Sequence, residues 1–430
     1  MISFINFIKN TVLLFVLVFI SCGSKTSTNN EEKKITKVKD TIIVGANQTK
    51  IYLPLLKGKK VGIVANQTSV IFKTKDSVYL VDPEAQVVKF EKTVSRHTHL
   101  VDSLLKLGVN IKRVFAPEHG FRGTADAGEI VKDGLDIKTG LPLISLYGSN
   151  KKPLPDQLKD IDIMIFDIQD IGARFYTYIS TLHYVMEACA EQGIPIVLLD
   201  RPNPNGHYVD GPILEPEHTS FVGMHPVPVV HGMTIGEYAK MINGEKWLKN
   251  GISCTLKVIP VKNYTHNLQY SLPIKPSPNL PNDQAINLYP SLCLFEGTDI
   301  SVGRGTSMQF QVVGSPNLNE LSQFDFKFTP RPNEAAKHPK HENKICYGYD
   351  LRFTEPLKNL DFYYLITFYN AYRKHMPDAP FFNSFFTKLA GTKKLQAQIE
   401  SGMSFEQIQL SWTKGLKEFK ANRSKYLIYP

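Results

Sequence analysis

The chain has 430 residues, 42% of them hydrophobic, and carries 50 Lys and Arg against 40 Asp and Glu for a formal net charge of +10. That length and apolar content suit two or three domains with real cores. The basic residues are scattered, with no Lys/Arg block interleaved with aromatics, so a nucleic-acid partner is excluded while an anionic partner such as an acidic polysaccharide is not.

The first predicted element is an unbroken apolar run over residues 12–20, preceded by Lys9 and ending at Ser21, Cys22 and Gly23. It is short for a spanning helix, and an apolar core followed by a small residue and a cysteine reads as a lipoprotein signal. Residues 1–22 are therefore expected to be the signal, with lipid carried on Cys22. Residues 23–40 are mostly Ser, Thr, Asn, Glu and Lys and read as a flexible tether. The expected product is an exported lipoprotein, held by its lipid to a bacterial membrane and facing the periplasm or the exterior.

Strands and helices then alternate. Strands are predicted at 60–65, 109–116, 161–166 and 194–199. Helices are predicted over 99–107, closed by Gly108, and over 177–191, with Ile179, Leu182, Val185, Met186 and Cys189 on one face. The alternation implies a mostly parallel sheet, and near-continuous apolar strands fit burial on both faces. Thr234 and Glu237 form a capping-box pattern that opens a helix reaching Trp247. A strand at 255–261, a proline-rich stretch at 273–290 and helices at 360–375 and 405–420 follow. The fold class is α/β: a Rossmann-like parallel sheet over 41–263 and a smaller α+β domain over 264–430.

Four stretches gather charge where strands end, and in open α/β sheets ligands bind outside the carboxyl ends of the strands. Glu118, with His119, Gly120, Phe121 and Arg122 after it, is either a partly desolvated general acid or a loop carboxylate paired with Arg122. Asp167, Gln169 and Asp170, with Arg174, Tyr176 and Tyr178 behind them, suit sugar hydroxyls, a hard metal ion, or an Asp–Arg lock between loop and sheet. Asp200, Arg201, Pro202, Asn203 and Pro204 form a stiff loop whose arginine either receives a substrate carboxylate or clamps Asp200. Glu296 and Arg304 flank a loop with glycines at 297, 303 and 305 that cradles an anion, closes a cleft or is a plain turn.

No dinucleotide fingerprint follows the first strand, no nucleophile elbow, P-loop or His-Glu-x-x-His occurs, and no cofactor is expected. His97 with His99, and His338 with His341 and Cys346, lack the framing of a zinc site and read as surface residues. Cys189, Cys254, Cys293 and Cys346 are far apart and show no pairing.

Pro117-Glu118-His119-Gly120-Phe121-Arg122-Gly123 with Ala127-Gly128-Glu129, then Asp167-Ile168-Gln169-Asp170 through Tyr178, Asp200-Arg201-Pro202-Asn203-Pro204, Ser277-Pro278-Asn279, and Glu296-Gly297-Thr298 with Gly303-Arg304-Gly305-Thr306 resemble the NamZ/YbbC family. The likeness is dense from about residue 60 to 311. It implies exo-acting β-N-acetylmuramidases of peptidoglycan turnover, with a site in the cleft between a Rossmann-like domain and a smaller C-terminal one. The expected reaction releases N-acetylmuramic acid from the non-reducing end of a peptidoglycan-derived glycan. Such cleavage needs a proton donor and stabilisation of an oxocarbenium-like state. Glu118 is the expected acid, with Asp170, Glu129 or Glu296 as partner, or assistance from the sugar's acetamido group. Arg122, Arg174, Arg201 and Arg304 are candidates for the lactyl carboxylate. His119, Asp167, Gln169, Tyr176, Tyr178, Asp200, Asn203 and Asn279 complete the expected substrate shell. Two other classes stay open: a glycan-binding lipoprotein without turnover, and a metal-dependent hydrolase built on Asp167 and Asp170.

Overall fold

A computed structural model describes residues 41–79, 91–123 and 133–430. The signal with Cys22, the tether and the candidate Glu129 lie outside the described residues.

The first half of the chain runs α1 (Thr49–Leu56), β1 (Val61–Ala65), β2 (Val70–Tyr79), β3 (Glu91–His99), α2 (Leu100–Lys106), β4 (Ile111–Ala116), β5 (Gly134–Leu135), β6 (Pro142–Ser145), α3 (Pro155–Leu158), β7 (Ile163–Asp167), α4 (Tyr178–Glu191), β8 (Ile196–Leu199), α5 (Ile235–Gly244) and β9 (Leu256–Ile259). Seven strands make one sheet in the order β5-β6-β4-β1-β7-β8-β9. All its pairings are parallel except β5 on β6. From β6 to β9 this is the doubly wound order of a Rossmann fold, whose reversal point lies between the first strand and its two neighbours. The antiparallel pair β2–β3 stands apart from that sheet.

Alternation along the strands sorts side chains onto two buried faces. Ile63, Val114, Ile165 and Val197 pack with Tyr52 of α1 and Leu104 of α2. Val64, Phe115, Phe166 and Leu198 pack with α4 and α5. Burial on both faces explains why these strands read as continuous apolar runs.

The second half brings α6 (Asp283–Leu292), β10 (Val312–Ser315), β11 (Phe326–Phe328), β12 (Cys346–Asp350), α7 (Tyr363–His375), α8 (Ser384–Ala390), α9 (Lys394–Glu400) and α10 (Phe405–Arg423). Its strands form an antiparallel sheet ordered β10-β12-β11. Helix α6 occupies the end of the proline-rich stretch and keeps Pro290 inside it. A proline leaves the carbonyl four residues earlier without its N–H. That carbonyl, of Ile286, accepts instead from Asn205 Nδ2 at 3.1 Å, and the same amide donates to Ile171 O at 2.9 Å.

Arg174 ties the halves together. Its guanidinium is fully buried and donates to four carbonyls: Pro212 and Val227 at 2.8 Å each, Leu389 at 2.9 Å and Ala390 at 2.7 Å. The last two are orphan carbonyls at the end of α8, where a cation is favourable. Burial pushes the guanidinium down to about 9. The expected substrate cation is thus a structural clamp. Arg174→Met removes the donor from four buried carbonyls, and urea unfolding should show a loss of about 3 kcal/mol or more; a loss below about 1 kcal/mol would show that the clamp is dispensable.

Candidate active site

The main cleft has a volume of about 660 Å³ and opens at the carboxyl ends of the sheet. Among the expected residues, Glu118, His119, Tyr176, Tyr178, Asn279, Glu296 and Arg304 line it. Glu118 lies one residue beyond the end of β4, after Pro117, beside the reversal point. The turn is tight: Gly120 N bonds Pro117 O at 3.0 Å, and His119 takes a positive φ of 70°, a conformation uncommon outside glycine. Two hydroxyls orient the carboxylate. Thr177 Oγ1 donates to Glu118 Oε2 at 2.6 Å, and the phenol of Tyr147 hydrogen-bonds the same group. Burial, reinforced by the Glu118 charge, pushes the Tyr147 phenol upward, so it remains a donor.

Tyr176 and Tyr178 meet edge to face at 4.8 Å. Their hydroxyls both donate to Pro276 O, at 2.8 and 3.2 Å, and Gln67 Nε2 reaches the same carbonyl at 3.1 Å. Burial pushes both phenols upward. These tyrosines therefore hold the 275–279 strap at the cleft with their hydroxyls turned away from a ligand, and both rings are buried. Asn279 is fixed in turn by Nδ2 donating to Ala335 O at 2.6 Å.

Glu296 and Arg304 form a two-point ion pair at 2.6 and 3.2 Å, and the guanidinium lies 5.0 Å from the Phe310 ring centroid. The loop between them turns at Gly303, with φ of 77°, where a Cβ would approach Val312 Cγ2 to 2.6 Å. Lys340 donates to the carbonyls of Phe295, Thr298 and Ile300, and burial lowers its pKa.

The remaining expected residues lie elsewhere. Arg122 bonds Asp136 and Asp102 at 2.8 and 3.3 Å, not Glu118. Arg201 grips Asp167 at 2.6 and 2.9 Å, the lock between loop and sheet. This closes Asp167 to a metal ion and Arg201 to a substrate carboxylate. Asp200 accepts from Tyr429 Oη at 2.6 Å, Thr234 Oγ1 at 2.8 Å and Gly236 N at 2.9 Å, capping α5 and pinning the chain's end. Gln169 donates to the carbonyls of Asp170 and Pro202, both at 2.7 Å. Asn203 donates to Met233 O at 2.9 Å. Asp170 accepts from Gly172 N at 2.7 Å and faces His231 Nε2 at 3.7 Å. Glu237 caps α5 as expected, taking Thr234 N at 2.9 Å. His99 spends both ring nitrogens on backbone. Among the described residues, Glu215, Glu217 and His218 have ligand atoms within 4.8 Å of one another, but Lys394 and Thr392 already engage Glu215.

Residues that the sequence did not single out also line the cleft, among them Tyr147, Lys151, Phe221, Lys340 and Phe385, and so does Thr177, which lies inside the 167–178 stretch but to which the sequence assigns no role. Tyr147 and Lys151 follow β6, so the strand-end rule that found Glu118 would have found them had that short strand been read.

Comparison with known proteins follows this geometry. Models described as "Exo-beta-N-acetylmuramidase NamZ", N-terminal and C-terminal, match residues 61–284 and 287–429. The peptidoglycan beta-N-acetylmuramidase NamZ of Bacillus subtilis is 36% identical over 98% of this chain and 100% of its own. Two crystal structures of DUF1343 family proteins from Bacteroides fragilis share the fold. One has a TM-score of 0.78 at 44% identity, covering 91% of this chain and 99% of its own. The other has a TM-score of 0.71 at 27% identity, covering 90% and 99%.

Burial raises the Asp170 carboxyl to about 7 and lowers His231 to about 3. An acid whose folded pKa lies above its unfolded value keeps a proton that the unfolded chain has lost. Its contribution is therefore full below about pH 4 and is lost as pH rises to about 7. Thermal melts should show the wild type losing stability relative to Asp170→Asn across that window and running parallel to it above. Parallel curves throughout would place the folded pKa near its ordinary value.

Proposed function

The chain belongs to the NamZ family of exo-β-N-acetylmuramidases, and on that premise we propose that it hydrolyses the glycosidic bond of a non-reducing-end N-acetylmuramic acid in peptidoglycan-derived glycan, with Glu118 as the acid. The observation that carries this reading is the placing of Glu118 in the cleft, at the carboxyl end of β4, with Thr177 and Tyr147 bonded to its carboxyl group. Donors on a carboxyl group fix the rotamer from which it faces the departing oxygen. In its protonated form Glu118 gives its proton to that oxygen as the C1–O bond breaks; water then adds to C1 and returns a proton to the Glu118 carboxylate, the form that the donors from Thr177 and Tyr147 stabilise in the interval. Glu296 and Arg304 hold each other in register, so the loop offers a fixed acceptor and donor to sugar hydroxyls. The rings of Phe221 and Phe385 supply apolar surface in the cleft.

The reaction predicts that the full chain releases chromophore from a β-N-acetylmuraminide and leaves the matching β-N-acetylglucosaminide intact. Glu118→Gln should cut kcat by about 10²- to 10⁴-fold with an unchanged melting temperature; near-normal turnover in that variant would remove Glu118 as the acid.

We also propose that the protein is exported and lipid-anchored through Cys22. Support comes from the apolar run 12–20 and the small residue before the cysteine. Cells fed a labelled fatty acid should label the wild type and not Cys22→Ala; label retained in the variant, or absent from both, would overturn the anchor.

A further inference from the structure

We propose that Lys151 is the specificity-determining cation that receives the lactyl carboxylate of the muramyl unit, resting on the muramidase reading of the cleft.

The arginines expected in that role are committed elsewhere. Arg174 serves four carbonyls, Arg201 serves Asp167, and Arg122 serves Asp102 and Asp136. Arg304 lines the cleft but is neutralised by two bonds to Glu296. Lys340, also in the cleft, spends its ammonium on three carbonyls. An imidazole is not a standing cation at neutral pH. Among the described residues lining the cleft, this leaves the ammonium of Lys151 as the cation with no carboxylate or carbonyl claiming it.

Its position is built rather than incidental. Tyr147, which hydrogen-bonds Glu118, and Lys151 share the loop after β6. That loop turns at Gly148, with φ of 82°, and is tied back by Asn150 Nδ2 donating to Ser145 O at 3.2 Å. The next residue, Lys152, is anchored to α4 by Glu187 at 2.7 Å and Glu191 at 2.8 Å. The backbone is thus fixed while the Lys151 side chain lies over the Phe221 ring, Nζ 4.7 Å from its centroid. Phe221 is itself held: Tyr184 stacks on it at 6.3 Å and 16°, and Ser180 Oγ donates to its carbonyl at 2.7 Å. The Tyr147 ring stands 6.1 Å away. Glu118, Tyr147, Phe221 and Lys151 therefore form one continuous wall. An ammonium over an aromatic face is partly stripped of water and still holds donors, so a carboxylate brought beside the acid by a muramyl ring finds a charge partner there. A glucosaminide lacks that group.

Steady-state kinetics of the full chain on a chromogenic β-N-acetylmuraminide, as the free lactyl acid and as its methyl ester, tests this. The wild type should prefer the acid. Lys151→Met should raise KM for the acid by about 10- to 100-fold, leave kcat within a few-fold and leave the ester unchanged, so that the preference collapses. Lys151→Arg should restore it. A merely structural lysine would affect acid and ester alike. If Lys151→Met keeps the wild-type preference, or loses both substrates equally, the role is overturned while the muramidase reading stands. A wild type that cleaves neither substrate overturns the muramidase reading and this role with it.

Discussion

Four strands of the central sheet end in polar side chains that burial does not allow to go unpartnered: Asn66 after β1, Glu118 after β4, Asp167 at the end of β7 and Asp200 after β8. A buried polar group without a partner costs free energy comparable to several good contacts, so the loops beyond the sheet are arranged around these demands. Asp167 draws in Arg201, which also donates to Val70 O at 3.1 Å. Asp200 draws in Thr234, Gly236 and the far end of the chain through Tyr429. Asn66 orders its own turn through Thr68 and reaches Tyr178 at 2.9 Å. In these three places the polar groups satisfy one another. At Glu118 the cleft opens beside the carboxylate, and the hydroxyls that hold it leave it facing a space large enough for a sugar.

The same constraint joins the two halves of the molecule. Among the described residues Arg174 pairs with no carboxylate, and it collects carbonyls from the 212–227 loop and from the end of α8. Asn205 repairs the carbonyl that Pro290 orphans in α6. Glu237 accepts from the backbone N–H groups of Ile428 and Tyr429 at 2.8 and 3.2 Å. Each link joins a motif or cap of the sheet half to backbone of the second half. The cleft walls are held by hydrogen bonds that cannot slide without leaving a buried acceptor bare.

Period and polarity made the frame legible. Apolar runs at 60–65, 161–166 and 194–199 mark strands buried on both faces, and the helix over 177–191 shows its inner stripe directly. The short strands β6, β10, β11 and β12 carry too few residues for a period to show, and α6 was masked by its own proline. The site was legible in part. Strand-end position singled out Glu118 correctly as a cleft residue. The same rule could not separate Arg304, which reaches the cleft, from Arg201 and Arg174, which are sealed inside, because a charged residue after a strand reads alike whether its partner is a ligand or a neighbouring loop. The partner is chosen by tertiary contacts many residues away, such as the 34-residue separation between Arg201 and Asp167.

That ambiguity bears on what a conspicuous sequence motif means. Gly172 illustrates it: with φ of 78°, a Cβ there would approach Asn203 Nδ2 to 2.3 Å, so two motifs constrain each other through packing. Motifs rich in Asp, Arg, Asn and Gly mark the places where substitution is most costly, and in this fold cost arises chiefly from buried polar networks. Side chains that meet a ligand at the rim, such as those of Lys151 and Phe221, pair with no buried charge. Their sequence context is correspondingly bland. Specificity therefore sits on side chains that the framework positions but does not need, and chemistry sits on the strand end whose carboxyl group, held by Thr177 and Tyr147, also lines the cleft.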